Sequence, residues 1–203
     1  AFKAVFIDKA VAARAEANNH PAGFGIAACA YDARHNRLYF APMHFSEISY
    51  IDLDKSELTF TTLKRNILPA VNKYVAEENQ LSRMVIGADG FGYALTNDGN
   101  HLLRFNTGRN AMVEDLGALL DAETNMGISI HNKCSSWGGD MLADAFENLV
   151  IISANHNVYT IDVKSKIASY TGTISGLPAN YTTNGAVVNN DGDIVVSSAN
   201  VFD

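Results

Sequence analysis

"DMLADAFENLVIISAN", residues 140 to 155, recurs without a gap as "GAVVNNDGDIVVSSAN" at residues 185 to 200. Each copy has two apolar runs separated by a turn rich in Asp, Asn or Gly, which is the signature of a β-hairpin. Two further copies begin at Met84, as "MVIGADGFGYALTND", and at Ala27, as "AACAYDARHNRLYFAPM". The same hairpin phrase therefore occurs four times along the chain.

Two more strands follow each of the first three hairpins. An apolar residue followed by Asp or Asn marks the third strand, at Ile51, Phe105 and Ile161, and segments such as "LTFTTL" and "IASYTG" supply the fourth. The phrase repeats at intervals of 55, 56 and 45 residues. Four-stranded units with a period near ~50 residues are typical of β-propeller blades. The sequence therefore predicts an all-β fold, a β-propeller of four-stranded antiparallel blades.

The repeats predict one domain over residues 1–203, with about four blades' worth of sequence. The predicted blades are 25–64, 82–116, 138–172 and 184–203. The last unit has only two strands, and "AVFIDKAVAARAEA" near the N-terminus sets Ile7 and Asp8 where a third strand has Ile51 and Asp52. Residues 1–20 are therefore expected to complete the last blade. Two alternatives stay open, a compact four-bladed ring or part of a larger ring in a longer protein.

Three long segments, 66–80, 115–137 and 172–183, connect consecutive blades. The direction of the chain puts them on one face of the propeller, together with the loops between second and third strands. Long loops on a rigid scaffold are where function tends to lie. Helical spacing of Val71, Tyr74 and Val75 predicts a short helix in the first segment, and "DLGALLDAE" (115–123) predicts another.

Composition narrows the function classes. A hydrophobic content of 47% and a charged content of 18% are typical of a folded domain, while the net charge of −7 argues against nucleic acid or an anionic membrane as partner. No apolar run approaches the ~18 to 20 residues of a membrane span. Cys29 and Cys134 permit at most one disulfide, and Cys29 is expected to be a small core residue. The chain begins at Ala1, as a processed secretory protein or a trimmed fragment would.

Two interblade loops carry the candidate binding residues. In "SIHNKCSSWGGD" (129–140) we expect the central cavity to be faced by His131, Asn132, Trp137 and Asp140, although Trp137 could instead fill the gap between blades. In "LPANYTTNG" (177–185) the hydroxyls and amides suited to sugars or peptide backbone belong to Asn180, Tyr181, Thr183 and Asn184. Loops on the same face add Asn97, Asn155 and His156. Turn geometry explains the recurrent Asn equally well.

Enzyme constellations are incomplete in this sequence. A glycosidase needs two carboxylates, but only Asp140 begins an inner strand, and the matching positions hold Gly25, Arg83 and Gly185. No cofactor is expected. The alternative to a binding module is a calcium-assisted, lactonase-like hydrolase with Asp140, Asn132 and Asn184 as ligands. The glycines of residues 87–92 and the acids of "NNDGD" (189–193) fit turns rather than a dinucleotide loop or a calcium loop.

The repeats resemble β-propeller proteins of the bacterial NHL and YVTN kind over essentially the whole chain. The phrases "GYALTNDGNHLLRF", "GGDMLAD" and "GLPANYTTNGAVV" are similar to a group of secreted bacterial propellers. The resemblance implies a secreted, periplasmic or cell-surface protein, and it carries over no catalytic residues. The sequence thus predicts a binding or scaffolding module for a protein or carbohydrate partner. A further alternative is an accessory subunit of a larger cell-envelope complex.

Overall fold

Three antiparallel sheets follow one another along the chain, each with four strands paired in sequence order. The first contains β1 (Ile26–Asp32), β2 (Arg37–Pro42), β3 (Glu47–Asp52) and β4 (Phe60–Arg65). The second contains β5 (Leu81–Ile86), β6 (Phe91–Thr96), β7 (Leu102–Asn106) and β8 (Val113–Asp115). After the short β9 (Leu120–Asp121), the third contains β10 (Asp140–Ala143), β11 (Asn148–Ile152), β12 (Asn157–Asp162) and β13 (Ile167–Thr173).

A two-stranded sheet of β14 (Tyr181–Val188) and β15 (Ile194–Asn200) ends the described part of the chain. Among the described residues, helical structure is limited to short pieces, which are 3-10 turns at Pro21–Phe24, Glu77–Asn79 and Glu123–Asn125, and one α-helical turn, α1 (Lys133–Ser136). These elements belong to a computed structural model that describes residues 21–57, 59–71, 74–108, 112–189 and 191–200. The all-β prediction and the four-stranded antiparallel blades are confirmed.

The hydrophobic core lies between neighbouring blades. The first strands β1, β5, β10 and β14 contact one another in that order. One cluster, with Tyr39 and Phe105 fully buried, joins the first two blades, and a second, with Leu95 and Tyr159, joins the second and third. Since a fully buried large side chain contributes about 1.5–3 kcal/mol, blade-to-blade packing is the main source of stability.

Neither predicted helix is present in the part of the chain that the structure describes. Val71 and Tyr74 instead pair as an isolated antiparallel bridge, with two backbone hydrogen bonds between them. In "DLGALLDAE" the amide of Leu120 donates to Lys166 O at 2.8 Å, and that of Ala122 donates to Ala168 O at 3.0 Å. β9 is therefore a parallel fifth strand on the outer edge of the third sheet. The unpaired backbone groups of that edge outweigh a weak local helix preference.

The turns that the sequence assigned to glycine and acid clusters are present. Asp89 Oδ1 accepts from Phe91 N at 3.0 Å in the turn before β6, and Gly90 has a φ of +87°. In the turn before β15, Asn189 Oδ1 accepts from Asp191 N and from Asp193 N, both at 2.9 Å. Both stretches are used to reverse the chain.

The outer edge of β15 is where the sequence predicts that residues 1–20 complete a blade. Those residues lie outside the described ones, so the completed blade stays a prediction. In the observed blades Ile51 lies opposite Leu38, and Ile161 lies opposite Leu149. Because Ile194 aligns with Leu149 in the repeat, the same register would set residue 7 opposite Ile194.

Disulfide trapping tests this register. In a chain carrying Cys29→Ser and Cys134→Ser, the pair Ile7→Cys and Ile194→Cys is expected to form an intramolecular disulfide on mild oxidation, since opposite Cβ atoms lie about 5 Å apart. The matched control pairs Ile7→Cys with Val195→Cys, whose side chain points to the other face of the strand. A folded monomer that forms no disulfide at 7 and 194 would contradict the prediction, and so would a disulfide-linked dimer. Non-reducing gels and mass spectrometry provide the readout.

Candidate functional site

The interblade segments and the loops between second and third strands lie on one face, as the chain direction predicts. Val75 N donates to His44 O at 2.9 Å, and Asn97 N donates to Gln80 O at 3.0 Å. Between the later blades, Ile174 N donates to His156 O at 2.9 Å. Each segment is thus bonded to a neighbouring loop. We call this surface the loop-bearing face.

The loop of residues 129–140 is a folded unit with a half-buried tryptophan, Trp137. Asn132 precedes α1 as its N-cap, and its side-chain oxygen accepts from Cys134 N at 2.9 Å. Trp137 Nε1 donates to His131 O at 3.1 Å, and Lys133 Nζ lies 5.0 Å from the centre of the indole. The His131 ring donates from Nδ1 to the backbone oxygen of Asp98 at 2.6 Å. The loop therefore presents Trp137 from a rigid frame.

Arg83 anchors this loop from the inner strand β5. It is fully buried and donates from Nε to Gly138 O at 2.9 Å, from Nη1 to Thr96 O at 3.4 Å, and from Nη2 to Ser136 O. Burial lowers the pKa of Arg83 to about 10, so the guanidinium is still charged at neutral pH. The sequence signal is a lone cation inside the strand "LSRMVI", at a position where a glycosidase would need a carboxylate.

Asp140 joins two blades instead of standing free at the strand entrance. One carboxylate oxygen accepts from its own neighbour Met141 N and the other from Ala186 N on β14, both at 2.8 Å. Burial raises the pKa of Asp140 above its ordinary value, although these hydrogen bonds and the charge of Arg83 oppose the shift. The side chain acts as a cross-brace between the third blade and the last hairpin.

The second loop presents fewer groups than the sequence predicts. Thr183 is only 1% exposed and donates its hydroxyl to Ser153 O, so it supports the neighbouring blade and offers nothing to a ligand. Asn180 Nδ2 donates to Asn200 Oδ1 at 3.0 Å, and Asn184 Oδ1 accepts from Thr182 Oγ1 at 3.0 Å. Tyr181 is half-buried at the start of β14.

The remaining loop candidates hold the segments together. Asn97 accepts from Ser82 Oγ at 2.6 Å and from Gly138 N at 3.2 Å, and it donates to Glu77 O at 2.9 Å. Asn155 donates its amide to the backbone oxygen of Cys134. The His156 ring donates from Nε2 to Tyr181 O at 2.8 Å. Their side chains thus have structural partners that the sequence could not reveal.

The side-chain oxygens of the three predicted calcium ligands each accept hydrogen bonds from other groups of the chain. Asp140 accepts from two backbone amides, Asn132 caps α1, and Asn184 accepts from a threonine hydroxyl. No group of three or more His, Cys, Asp or Glu side chains could hold a metal ion in the part of the chain that the structure describes.

Both cysteines are free and exposed. The expectation that Cys29 is a buried core residue is wrong, because its side chain on β1 points away from the packed core. Even so, neighbouring atoms partly desolvate the thiol, and this, with the charge of Asp140, raises the pKa of Cys29. A raised pKa disfavours the thiolate, so Cys29 lacks the activation of a catalytic nucleophile.

Solved structures share this fold. A Bacteroides thetaiotaomicron protein of unknown function is 13% identical with a TM-score of 0.54, covering 86% of this chain and 45% of its own. Virginiamycin B lyase from Staphylococcus aureus is 13% identical with a TM-score of 0.51, covering 88% and 64%. A structure of a nidogen/laminin complex is 14% identical with a TM-score of 0.54, covering 86% and 57%. The chain has the fold of these NHL/YVTN-like β-propellers and spans about half to two thirds of their length.

Sequence comparisons add no assignment. No protein-family model matches the chain, and no curated protein is significantly similar to it. Among the described residues, no helix is both long enough and apolar enough to cross a membrane. These similarities therefore show the fold of the chain and do not assign its function.

Proposed function

We propose that this protein is a binding or scaffolding module that engages a protein or carbohydrate partner through its loop-bearing face. The observation that carries the proposal is the rigid loop of residues 129–140, which holds a partly exposed Trp137 and is bonded to a buried anchor, Arg83. Interfaces are enriched in Trp and Tyr because these side chains bring large area and a polar group at low entropic cost. Tyr181, where the neighbouring segment enters β14, is the second expected contact.

A protein partner agrees with one structural neighbour, which was solved as a nidogen/laminin complex. We further propose a secreted, periplasmic or cell-surface location, on the resemblance to secreted bacterial propellers. Membership of a larger envelope complex is compatible with the same face. Co-purification from a native envelope extract separates a stable subunit from a transient binder.

The expected result is loss of partner binding when Trp137 and Tyr181 are changed to alanine. Truncating two central aromatic contacts costs about 2 kcal/mol each, so the double variant should bind roughly 1,000-fold more weakly. The matched control is Phe146→Ala, which removes an 84%-exposed ring from the turn between β10 and β11, at the other end of the blade. Affinity is measured by pulling down partners from the native source and titrating the recovered one. Equal binding by the double variant and the control would refute the proposal.

The hydrolase alternative has one observation in its favour. Asp140 is a partly buried carboxyl at the entrance of an inner strand, and burial raises its pKa, as is common at functional sites. Calcium-binding calorimetry discriminates between the two functions. Tight stoichiometric binding that Asp140→Asn abolishes would favour the hydrolase, whereas a protein that needs no calcium for partner binding would favour the module.

A further inference from the structure

Four rings form an aromatic cluster on the loop-bearing face of the first blade. Phe45 lies 5.3 Å from Phe24 and 5.5 Å from Tyr74, and Tyr74 lies 6.3 Å from His44, all between ring centroids. Phe24 is 55% exposed and Tyr74 37% exposed. Exposed apolar patches of this kind mark interaction sites more often than chance. None of these four residues belongs to the loops proposed above to bind the partner.

A concave pocket of about 250 Å³ adjoins the cluster. Its lining divides into two kinds of groups. The apolar part is formed by Pro21, Phe45 and Ala70, and the polar part by Ser46, Glu47, Arg65 and Asn66. The volume is that of roughly eight water molecules at ~30 Å³ each, which suits one compact ring and not a folded peptide.

The polar side is pre-organised. Glu47 is 3% exposed, and its carboxylate lies 3.1 Å from Arg65 Nε, while Arg65 Nη2 donates to Thr62 Oγ1 at 3.2 Å. The Arg65 side chain is nevertheless 63% exposed, and a guanidinium has five N–H donors. Asn66 follows in the left-handed conformation, with a φ of +52°, and is exposed. The pocket therefore offers guanidinium donors, oriented by Glu47 and Thr62, and an exposed amide, with little net charge.

We propose that this pocket binds a neutral saccharide, with one sugar ring against Phe45 and its hydroxyls on Arg65 and Asn66. A pyranose has an apolar C–H face and a rim of hydroxyls that both donate and accept, which matches an apolar lining beside a paired guanidinium and an amide. An extended peptide would need a row of backbone partners, whereas these polar groups are side chains gathered at one spot. The charge balance of Glu47 and Arg65 favours a neutral ligand over an acidic one. The inference deepens the proposed binding function and rests on it for the role of the loop-bearing face.

Calorimetric titration with cellotetraose, chitotetraose and maltotetraose tests the proposal, with decaproline as the competing peptide probe. At least one saccharide is expected to bind with a dissociation constant of about 1 mM or tighter. Phe45→Leu, which keeps an apolar side chain but removes the ring, should weaken that binding about tenfold. Asn66→Gly, which keeps the left-handed backbone and removes the amide, should weaken it by a similar factor. Phe146→Leu should have no effect, and thermal melts check that every variant is folded.

Three outcomes would overturn the proposal. If no saccharide binds at up to about 5 mM, the pocket is not a sugar site. If saccharide binding is the same in Phe45→Leu, Asn66→Gly and wild type, the sugar binds elsewhere. If decaproline alone binds and Phe45→Leu abolishes it, the cluster is a peptide site. Failure here leaves the partner-binding result for Trp137 and Tyr181 unaffected, so the two proposals fail separately.

Discussion

Arg83→Ala is expected to destabilise the protein by about 3–5 kcal/mol, a large part of the ~5–15 kcal/mol that holds a domain together. The side chain is fully buried and is the hydrogen-bond partner of three backbone carbonyls, those of Thr96, Ser136 and Gly138. Alanine would leave the oxygens of Ser136 and Gly138 without a donor, whereas Thr96 O would keep its bond from Gly99 N. It would also open a cavity the size of the lost side chain. Because two of the carbonyls belong to the loop of residues 129–140, that loop should also lose its fixed shape.

Urea unfolding measures the loss, and two variants make the result specific. Arg83→Met fills most of the volume but has no donors. Its free energy of unfolding should therefore lie between those of wild type and Arg83→Ala, and its difference from wild type isolates the cost of the unpaired carbonyls. Arg104→Ala is the matched surface control, because its 2.7 Å contact with Glu114 is partly exposed and such pairs contribute about 0–1 kcal/mol. A loss below about 1 kcal/mol for Arg83→Ala would show that the anchor is dispensable.

Gly139→Ala is expected to be the most damaging small substitution near the candidate site. Gly139 has a φ of +78°, and an added Cβ would lie only 1.9 Å from the backbone oxygen of Ile152. Backbone strain costs about 1 kcal/mol, and the clash forces β10 and β11 apart at their first pair, so a total loss of about 3 kcal/mol or more is expected. The turn that leads from Trp137 into β10 would be displaced.

Gly176→Ala separates the cost of backbone strain from the cost of the steric clash. Gly176 also has a positive φ, of +91°, but an added Cβ would meet nothing within 4 Å. It should therefore show only the backbone term of about 1 kcal/mol. Thermal denaturation of both variants gives the difference. If they melt at the same temperature, then steric contact at Gly139 is not what the loop depends on.

Local pattern was enough to predict the blades. Strand alternation and turn residues are properties of a few consecutive positions, so the hairpin at 140–155 and its copy at 185–200 could be recognised from the letters alone. The third-strand residues Ile51 and Ile161 lie in third strands, as expected. The two helix predictions were wrong because they rested on local preference alone. The segment "DLGALLDAE" has a helical preference but pairs with a strand about 47 residues away in sequence.

The candidate site was predicted in part. The sequence predicts Trp137 and Tyr181 as contacts, since long interblade segments are visible in the repeat. Both are partly exposed, Trp137 just after α1 and Tyr181 at the start of β14. It also assigned to binding several side chains whose partners lie far along the chain, such as Thr183 on Ser153, 30 residues away. For the same reason the sequence did not reveal the role of Arg83. Its acceptors at Ser136 and Gly138 are 53 and 55 residues distant.

The sequence by itself determined the repeat, the strands and the turns, because period-two apolar patterns and glycine-rich reversals act over a few residues. Only the tertiary structure decided which polar groups are free. A donor or acceptor on a loop is available to a ligand only if no neighbouring blade uses it. Whether it is used depends on how the blades pack. The polar groups of Arg83, Asp140 and Asn97 are hydrogen-bonded to neighbouring segments of the chain.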